Sequence, residues 1–172
     1  MKRMQIPVKK DFLLSLRAGD HVLLSGDILT ARDQAHKKLV SLLKEGKKVP
    51  IDLRQAVIYY CGTTPTPKGK IIGSCGPTTA SRMDSFTPFL MSHGLRCMIG
   101  KGDRSDKVIS SIRRHKGIYF VTYGGCGAYL NKKVLAQKPI AFRTFGPEAI
   151  YKLTVKDFPV IVAVDSKGKS VF

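Results

Sequence analysis

Residues 95–123, with the sequence LRCMIGKGDRSDKVISSIRRHKGIYFVTY, carry the clearest alternation of strand and helix in the chain. Residues 95–99 form a short apolar run typical of a buried strand, and a Gly-Lys-Gly turn follows it. Residues 105–115 form an amphipathic pattern that Gly117 ends, and a second apolar run follows at 118–123. This strand–helix–strand pattern predicts an α/β fold with parallel strands.

The same alternation continues on both sides of this segment. Further strands are predicted at residues 21–29 (interrupted at Gly26), 56–60, 70–73 and 160–164. One helix is expected from the N-cap Thr30 to Gly46, and another over residues 78–93, which Pro88 must kink or restart. Residues 1–18 form a basic lead-in without a clear pattern. This periodicity by itself favours an open, doubly wound sheet.

Length and composition limit the class of protein. The 172 residues suffice for one domain with its own core, so residues 1–172 are treated as a single domain. Thirty basic and twelve acidic side chains give a formal charge of +18, but 43% hydrophobic residues exclude a disordered basic tail. No apolar run reaches the roughly 20 residues of a membrane span, and residues 1–10 lack a signal-peptide core. We expect a cytoplasmic protein that is not bound to membranes.

The four cysteines are widely spaced. Cys61, Cys75, Cys97 and Cys126 lie 14, 22 and 29 residues apart, without a C-x-x-C pair. This spacing favours neither a zinc site nor an iron–sulfur cluster held by this chain alone. We expect free, mostly buried thiols in a reducing compartment.

Polar groups collect at four predicted junctions between strands and helices. These are TARD at residues 30–33, GPTTASR at 76–82, GKG at 100–102 and the pair Gly124 and Gly125. Arginine binds a carboxylate with two hydrogen bonds, lysine adds a compact charge, and helix N-termini add amide donors. Two arginines and a lysine that converge would suit a small dicarboxylate. The alternative is that the cations are solvated surface groups and the glycines form ordinary turns.

Two residues near these junctions have alternative roles. Thr78 could be the N-cap of the following helix, or its hydroxyl could transfer a proton in the positive field near Arg82. His36 lies one helical turn from Arg32 and is a candidate supporting residue. The other histidines, His21, His93 and His115, lie near the ends of predicted elements, where capping or solvation is expected.

Several of these strings, in the same order, resemble one enzyme family. TARD (30–33), GPTTASRMD (76–84), MIGKG (98–102) and FVTYGGCGAYL (120–130) resemble the β subunit of two-subunit class I fumarate hydratases. The same unit is similar to the C-terminal half of single-chain members and to the β subunit of L-tartrate dehydratase. The resemblance covers about residues 19–168. It implies a swivelling β/β/α domain, an α/β fold whose β-rich core is flanked by helices, and we adopt this topology over the doubly wound sheet.

The resemblance also implies an activity and a partner. Family members add water reversibly to fumarate to give L-malate, using a [4Fe–4S] cluster whose ligands lie on a separate α subunit or N-terminal half. This chain would then provide no metal ligand and would form an active site only with an α subunit, in a heterotetramer or larger assembly. The tartrate branch tends to have RME where this chain has RMD, which favours fumarate. L-tartrate dehydration stays open as the alternative.

The resemblance assigns roles to individual residues. The substrate carboxylates are assigned to Arg32, Arg82 and Lys101, and the catalytic base is assigned to Thr78. Residues expected to support the site are His36, Asp33, Asp84, Gly124 and Gly125. Cys75 and Cys126 stand where relatives often carry small apolar residues, so each is either a packing variant or a redox-responsive group near the cluster.

Two other classes of protein are weighed against this interpretation. A sequence pI near 10 is typical of nucleic-acid binding, but the chain shows no RNP aromatics, GXXG clamp or basic helix, so we expect no nucleic-acid partner. An inactive regulatory or assembly subunit would be free to lose its site residues. Retention of Arg32, Thr78, Arg82 and Lys101 argues against that class.

Overall fold

Seven strands and five α-helices follow one another along residues 1–172, all of which the computed structural model describes. The strands are β1 (Lys2–Gln5), β2 (His21–Thr30), β3 (Val57–Tyr59), β4 (Cys97–Gly100), β5 (Ile118–Val121), β6 (Val134–Ala141) and β7 (Ile150–Val164). The helices are α1 (Lys10–Ser15), α2 (Asp33–Lys44), α3 (Thr87–Ser92), α4 (Asp106–His115) and α5 (Gly127–Leu130). Short 3-10 helices span Ala80–Met83, Asn131–Lys133 and Arg143–Glu148. The predicted α/β class is confirmed, and no helix combines the length and hydropathy of a membrane span.

Strand β7 closes the sheet into a barrel-like ring. Strands β2, β3, β4 and β5 are neighbours in that order and run parallel. Strand β7 pairs antiparallel with both β5 and β2, while β1 adds to β2 and β6 adds to β7. The doubly wound sheet favoured by the periodicity is therefore wrong, because one long strand joins what would have been its two edges. The β-rich core with flanking helices that the resemblance implies is confirmed.

Alternate residues of the central strands build two hydrophobic clusters. Residues on the inner face of the ring include Tyr59 of β3, Ile99 of β4 and Phe120 of β5. The intervening residues pack under the helices, where Ile58, Met98 and Tyr119 meet Leu39 of α2 and Ile112 of α4. Because successive side chains of a strand point to opposite faces, the central strands are buried on both sides.

The N-terminal residues belong to this core. Residues 1–18, which show no clear pattern in the sequence, form β1 and α1. Strand β1 pairs in parallel with residues 22–25 of β2. Met4, Leu13 and Leu16 are buried in the inner cluster, so the lead-in contributes to the barrel.

Three local predictions are wrong. Thr30 is the last residue of β2 and not a helix N-cap; its Oγ1 accepts a hydrogen bond of 3.1 Å from the amide of Tyr151, and α2 begins at Asp33. Residues 70–73 form no strand. The helix expected over residues 78–93 is divided into the 3-10 helix and α3, with Pro88 in the first turn of α3. Thr78 therefore caps no helix.

Candidate anion site at the carboxyl end of the barrel

The predicted polar segments meet at one end of the barrel. Arg32 follows β2, Gly62 follows β3, Lys101 follows β4 and Gly124 follows β5. Because these four strands are parallel, their carboxyl ends lie together, where α/β folds commonly bind ligands. The sequence prediction that these segments converge is thus consistent with the topology.

Backbone hydrogen bonds fix Thr78 beside Lys101. The Thr78 amide donates to the carbonyl of Tyr60 at 2.6 Å, and the Lys101 amide donates to the carbonyl of Thr78 at 3.3 Å. The Ala80 amide donates a hydrogen bond of 2.9 Å to the carbonyl of Lys101. These bonds form a short parallel bridge between Thr79 and Lys101. The half-buried Thr78 is therefore anchored by its backbone.

The loop before Thr78 is packed against α5. A Cβ on Gly127 would lie 2.8 Å from the amide nitrogen of Gly76 and 3.2 Å from that of Cys75, so only glycine allows this approach. The Tyr59 hydroxyl donates to the carbonyl of Cys75 at 2.5 Å from inside the barrel. Thus α5 and a buried tyrosine set the path of the chain into Thr78.

Asp33 joins the two site arginines. Arg82 Nε donates to Asp33 Oδ1 at 3.2 Å and Arg82 Nη2 donates to Asp33 Oδ2 at 2.7 Å. Arg32 Nε lies 4.0 Å from Asp33 Oδ2, is buried, and has no hydrogen-bond partner in the chain. Arg32, Arg82, Lys101 and Asp33 together carry a formal charge of +2, and the Glu148 carboxylate accepts a hydrogen bond from the amide of Gln34 nearby. The charge of these four groups complements a dianion.

His36 supports Arg32 from beneath the helix. Its Nδ1 donates to the carbonyl of Arg32 at 2.8 Å, and its ring meets the edge of Tyr60 with centroids 5.3 Å apart. The pKa of His36 is lowered to about 4, mainly by burial and to a smaller extent by the nearby Arg104, although the hydrogen bond to Arg32 opposes the shift. His36 is therefore neutral near pH 7 and adds no charge to the site.

Asp84 forms an ion pair with the buried Arg104, which the sequence analysis did not identify. Arg104 Nε donates to Asp84 Oδ1 at 2.7 Å, and the Ser105 amide donates to Asp84 Oδ2 at 2.8 Å. The Arg104 side chain is fully buried, bonds Thr87 Oγ1 at 2.7 Å and lies over the ring of Tyr119. Asp84 thus links the 3-10 helix to the start of α4. Nothing in the sequence distinguishes Arg104 from the other basic residues.

The two glycines differ in their relation to the site. A Cβ on Gly124 would lie 3.5 Å from Lys101 Cδ, so Gly124 borders the lysine stem. Gly125 has a φ of +74°, which favours glycine, and touches none of the other site residues through its Cβ position. Gly125 therefore shapes the turn.

The four cysteines form no metal-binding group. All four are free, and Cys61, Cys75 and Cys97 are buried while Cys126 is exposed, which confirms the prediction of free, mostly buried thiols. Burial raises the pKa of Cys75 and of Cys97 to about 12. No three His, Cys, Asp or Glu side chains form a group that could hold a metal ion.

The structure is a mixed α/β domain with a closed sheet, flanking helices and a group of cationic side chains at the carboxyl ends of its parallel strands. Comparison with known proteins gives the family: the model described as "Fumarase C-terminus" matches residues 2–172, and the chain belongs to this family.

Relatives of two lengths match the chain. It is 39% identical to "Fumarate hydratase 2" of Leishmania major over 90% of this chain, and 42% identical to "Fumarate hydratase class I, anaerobic" of Escherichia coli over 87%. The chain spans only 28% of each of these proteins. It is also 35% identical to the "Putative L(+)-tartrate dehydratase subunit beta" of Methanocaldococcus jannaschii, over 95% of this chain and 87% of that protein. The chain therefore corresponds to part of the longer enzymes and to most of a separate subunit.

Proposed function

We propose that this chain is the β subunit of a class I fumarate hydratase and hydrates fumarate reversibly to L-malate together with an α subunit. The backbone bridge that holds Thr78 beside Lys101, within a site of formal charge +2, carries the proposal. The names and identities of the relatives support it. We assign the closed sheet and its helices to the swivelling β/β/α class, with residues 1–172 as one domain.

The cations bind and orient the substrate. Arg32, Arg82 and Lys101 hold the two carboxylates of malate, and Asp33 keeps the Arg82 guanidinium in place through two hydrogen bonds. The same charges stabilise the enolate-like carboxylate that develops when the proton on C3 leaves. Electrostatic stabilisation of this kind is most effective where the groups are already positioned, as the Arg82 pair is here.

Thr78 accepts the C3 proton through its Oγ1. A threonine with an ordinary alcohol pKa is a weak base at neutral pH, so nearby positive charge must stabilise its ionised form. The backbone bridge places Thr78 next to Lys101 for this role. In the hydration direction, Thr78 returns the proton to C3.

The thiols of this chain do not fit a [4Fe–4S] cluster. Cluster ligands are thiolates, whereas burial raises the pKa values of Cys61, Cys75 and Cys97, and no three possible ligands form a group. We therefore assign the cluster to the α subunit, and we expect activity only from an α–β assembly, a heterotetramer or larger. When bound by the α subunit, the cluster would supply a Lewis acid for the C2 hydroxyl, which departs as water as the C3 proton moves to Thr78. The residues of this chain hold the carboxylates and move the C3 proton.

L-tartrate dehydration is the second candidate. It is favoured by the match to a tartrate dehydratase β subunit across 87% of that protein's length. The same cations would bind tartrate, which is also a dianion. Assaying both substrates with one preparation separates the two candidates.

The test is a reconstituted complex made by co-expressing this chain with a candidate α subunit under anaerobic conditions. Fumarate absorbance would follow turnover in both directions. We expect Thr78→Ala to lower kcat at least about 100-fold with KM changed only a few-fold, because general acid–base catalysis contributes about 10²–10⁴.

The matched control is Thr79→Ala. Thr79 is the exposed neighbouring residue, and its side chain makes no capping hydrogen bond to the 3-10 helix. We expect its kcat to stay near the parent value. No hydration by any reconstituted pair, with tartrate also inert, would overturn the proposed function; a Thr78→Ala effect on KM alone would overturn the base assignment.

A further inference from the structure

A cavity lies at the end of the barrel opposite the candidate anion site. Its volume is about 930 Å³. Its wall includes Arg54 just before β3, Arg96 just before β4 and Lys116 just before β5, which are the amino ends of three parallel strands. Lys10 and Leu13 of α1 complete one side. The cavity shares no residue with the site described above.

The lining of this cavity is strongly and uniformly basic. Its permanent cations are Lys10, Arg54, Arg96, Arg114 and Lys116. Two histidines also line it, and no aspartate or glutamate does. None of the five cations forms an ion pair within the chain. Six of the twelve acidic side chains form ion pairs elsewhere in the protein, and no carboxylate pairs with the cations of this cavity.

Helix capping explains only part of this set. Arg96 Nη1 donates to the carbonyls of Met91 and Leu95, both at 2.8 Å, which satisfies the end of α3. Arg114 and Lys116 lie at the C-terminal end of α4, where cations are favourable. Lys10, by contrast, is the first residue of α1, where the helix dipole disfavours a positive charge. Arg54 precedes a strand. Both Lys10 and Arg54 are exposed, and neither side chain hydrogen-bonds a helix end.

The backbone at Gly94 leaves room for the side chain of Arg54. Gly94 has a φ of +118°, and a Cβ there would lie 2.7 Å from Arg54 Cγ. Only glycine allows both this backbone conformation and the passage of the Arg54 stem across it. The stem therefore lies against Gly94 at the amino end of β4.

His115 responds to the uncompensated charge. Its pKa is lowered first by burial and then by Arg96 and Arg114. No carboxylate offsets this effect. A bound anion would lower the repulsion among these groups.

We propose that this cavity binds a small molecule that carries a diphosphate or triphosphate group. Five permanent cations exceed what a dicarboxylate would neutralise, and guanidinium groups match the oxygens of phosphate in a bidentate manner. A volume of about 930 Å³ is within the range of small-molecule sites, about 300–1,000 Å³. Val8 and Leu13 give the cavity an apolar wall for an uncharged portion of the ligand.

Isothermal titration calorimetry on the full chain tests this proposal, with inorganic pyrophosphate, ADP and citrate as separate probes. We expect saturable binding of one pyrophosphate and one ADP, and much weaker binding of citrate. Arg54→Gln combined with Arg114→Gln removes two lining charges. We expect this pair to weaken pyrophosphate binding at least about tenfold, since hydrogen bonds to charged groups contribute strongly.

The control is Arg113→Gln combined with Lys37→Gln. Both residues are exposed, neither lines the cavity, and the change in net charge is the same. We expect its affinity for pyrophosphate to stay within about twofold of the parent, the difference expected from remote charges alone. Tighter binding of ADP than of pyrophosphate would show that the uncharged part of the ligand contacts Val8 and Leu13. Equal affinity would show that the phosphate groups alone are recognised.

Three results would overturn the proposal. These are an absence of saturable binding, citrate bound as tightly as pyrophosphate, or an equal loss of affinity in the control pair. The last result would mean that net charge alone attracts the anion. None of these results bears on hydratase activity, because the cavity and the site at the carboxyl end have no residue in common.

Discussion

Both carboxylate oxygens of Asp33 accept hydrogen bonds from the guanidinium of Arg82, at 3.2 and 2.7 Å. This pair connects the start of α2 to the 3-10 helix after Thr78, so it couples two otherwise separate segments of the site. Half of the Arg82 side chain is exposed, which leaves the guanidinium accessible to a substrate.

Asp33→Ala should weaken substrate binding with little loss of stability. Without its partner, Arg82 must be ordered by the substrate itself, and we expect KM to rise about tenfold. The ion pair is partly exposed, so the loss in unfolding free energy should stay under about 1 kcal/mol. Steady-state kinetics of the reconstituted complex would measure both constants. Asp27→Ala, which removes a carboxylate paired with Lys152, is the control, and an unchanged KM in Asp33→Ala would contradict the positioning role.

Breaking the buried pair of Arg104 and Asp84 should strongly destabilise the fold. Arg104→Ala leaves the Asp84 carboxylate without its charged partner, and we expect a loss of about 3–5 kcal/mol in urea unfolding. The double variant should lose less than the sum of the single variants, because it leaves no unpaired charge. Lys47→Ala breaks the exposed pair with Glu45 and should leave the midpoint unchanged. Strict additivity in the double variant would argue against a coupled pair.

The free energy of unfolding should decrease as the pH is lowered, because His36 titrates. Its folded-state pKa is lowered from 6.5 to about 4, so the unfolded chain binds more protons between these values and unfolding becomes easier as pH falls. From pH 7 to 5 the loss is about 2 kcal/mol. His36→Phe should lose this part of the slope. His115, whose pKa is also lowered, contributes with the same sign to both proteins and so cancels in the comparison. Equal slopes for both proteins would show that His36 is not the source.

Gly127→Ala should disable the site, and Gly124→Ala should be tolerated. The new Cβ at residue 127 would meet the amides of Gly76 and Cys75 at 2.8 and 3.2 Å, which displaces the loop that leads into Thr78. At residue 124 the nearest atom is Lys101 Cδ at 3.5 Å, an ordinary contact. We expect a loss of at least about tenfold in kcat/KM for the first variant, because a 1 Å misplacement in an active site can cost about 100-fold. Similar kinetics for the two variants would contradict the role of Gly127 in positioning the loop before Thr78.

Local patterns predicted the elements whose signals are local. Helix α4 was predicted from its amphipathic pattern and from Gly117 after it; the structure adds that the Ser105 hydroxyl caps the helix by accepting a hydrogen bond from the amide of Val108. Strands β4 and β5 are short apolar runs and were found for the same reason. The closing strand β7 was found only in its second half, because Lys152, Thr154 and Lys156 make its first half polar. Its pairing with both β2 and β5 is a long-range property that no local pattern contains.

The residue types of the candidate site were predictable from the sequence, but the contacts between these residues were not. Arginine, lysine and threonine in glycine-rich junctions indicated an anion site, and the family resemblance assigned the individual residues. The sequence could not show that Asp33 holds Arg82 or that Asp84 is occupied by Arg104. These pairings depend on which loops the barrel brings into contact.

The pairing of β2 with β7, which includes His21 opposite Ile161, limits when the sheet can close during synthesis of the chain. Strands β2 to β5 emerge from the ribosome first, yet β2 and β5 each keep an unpaired edge until β7 has been made. Such long sequence separation slows folding and leaves nascent chains open to association with one another. The edges of β2 and β5 are therefore protected from association only once β7 is complete.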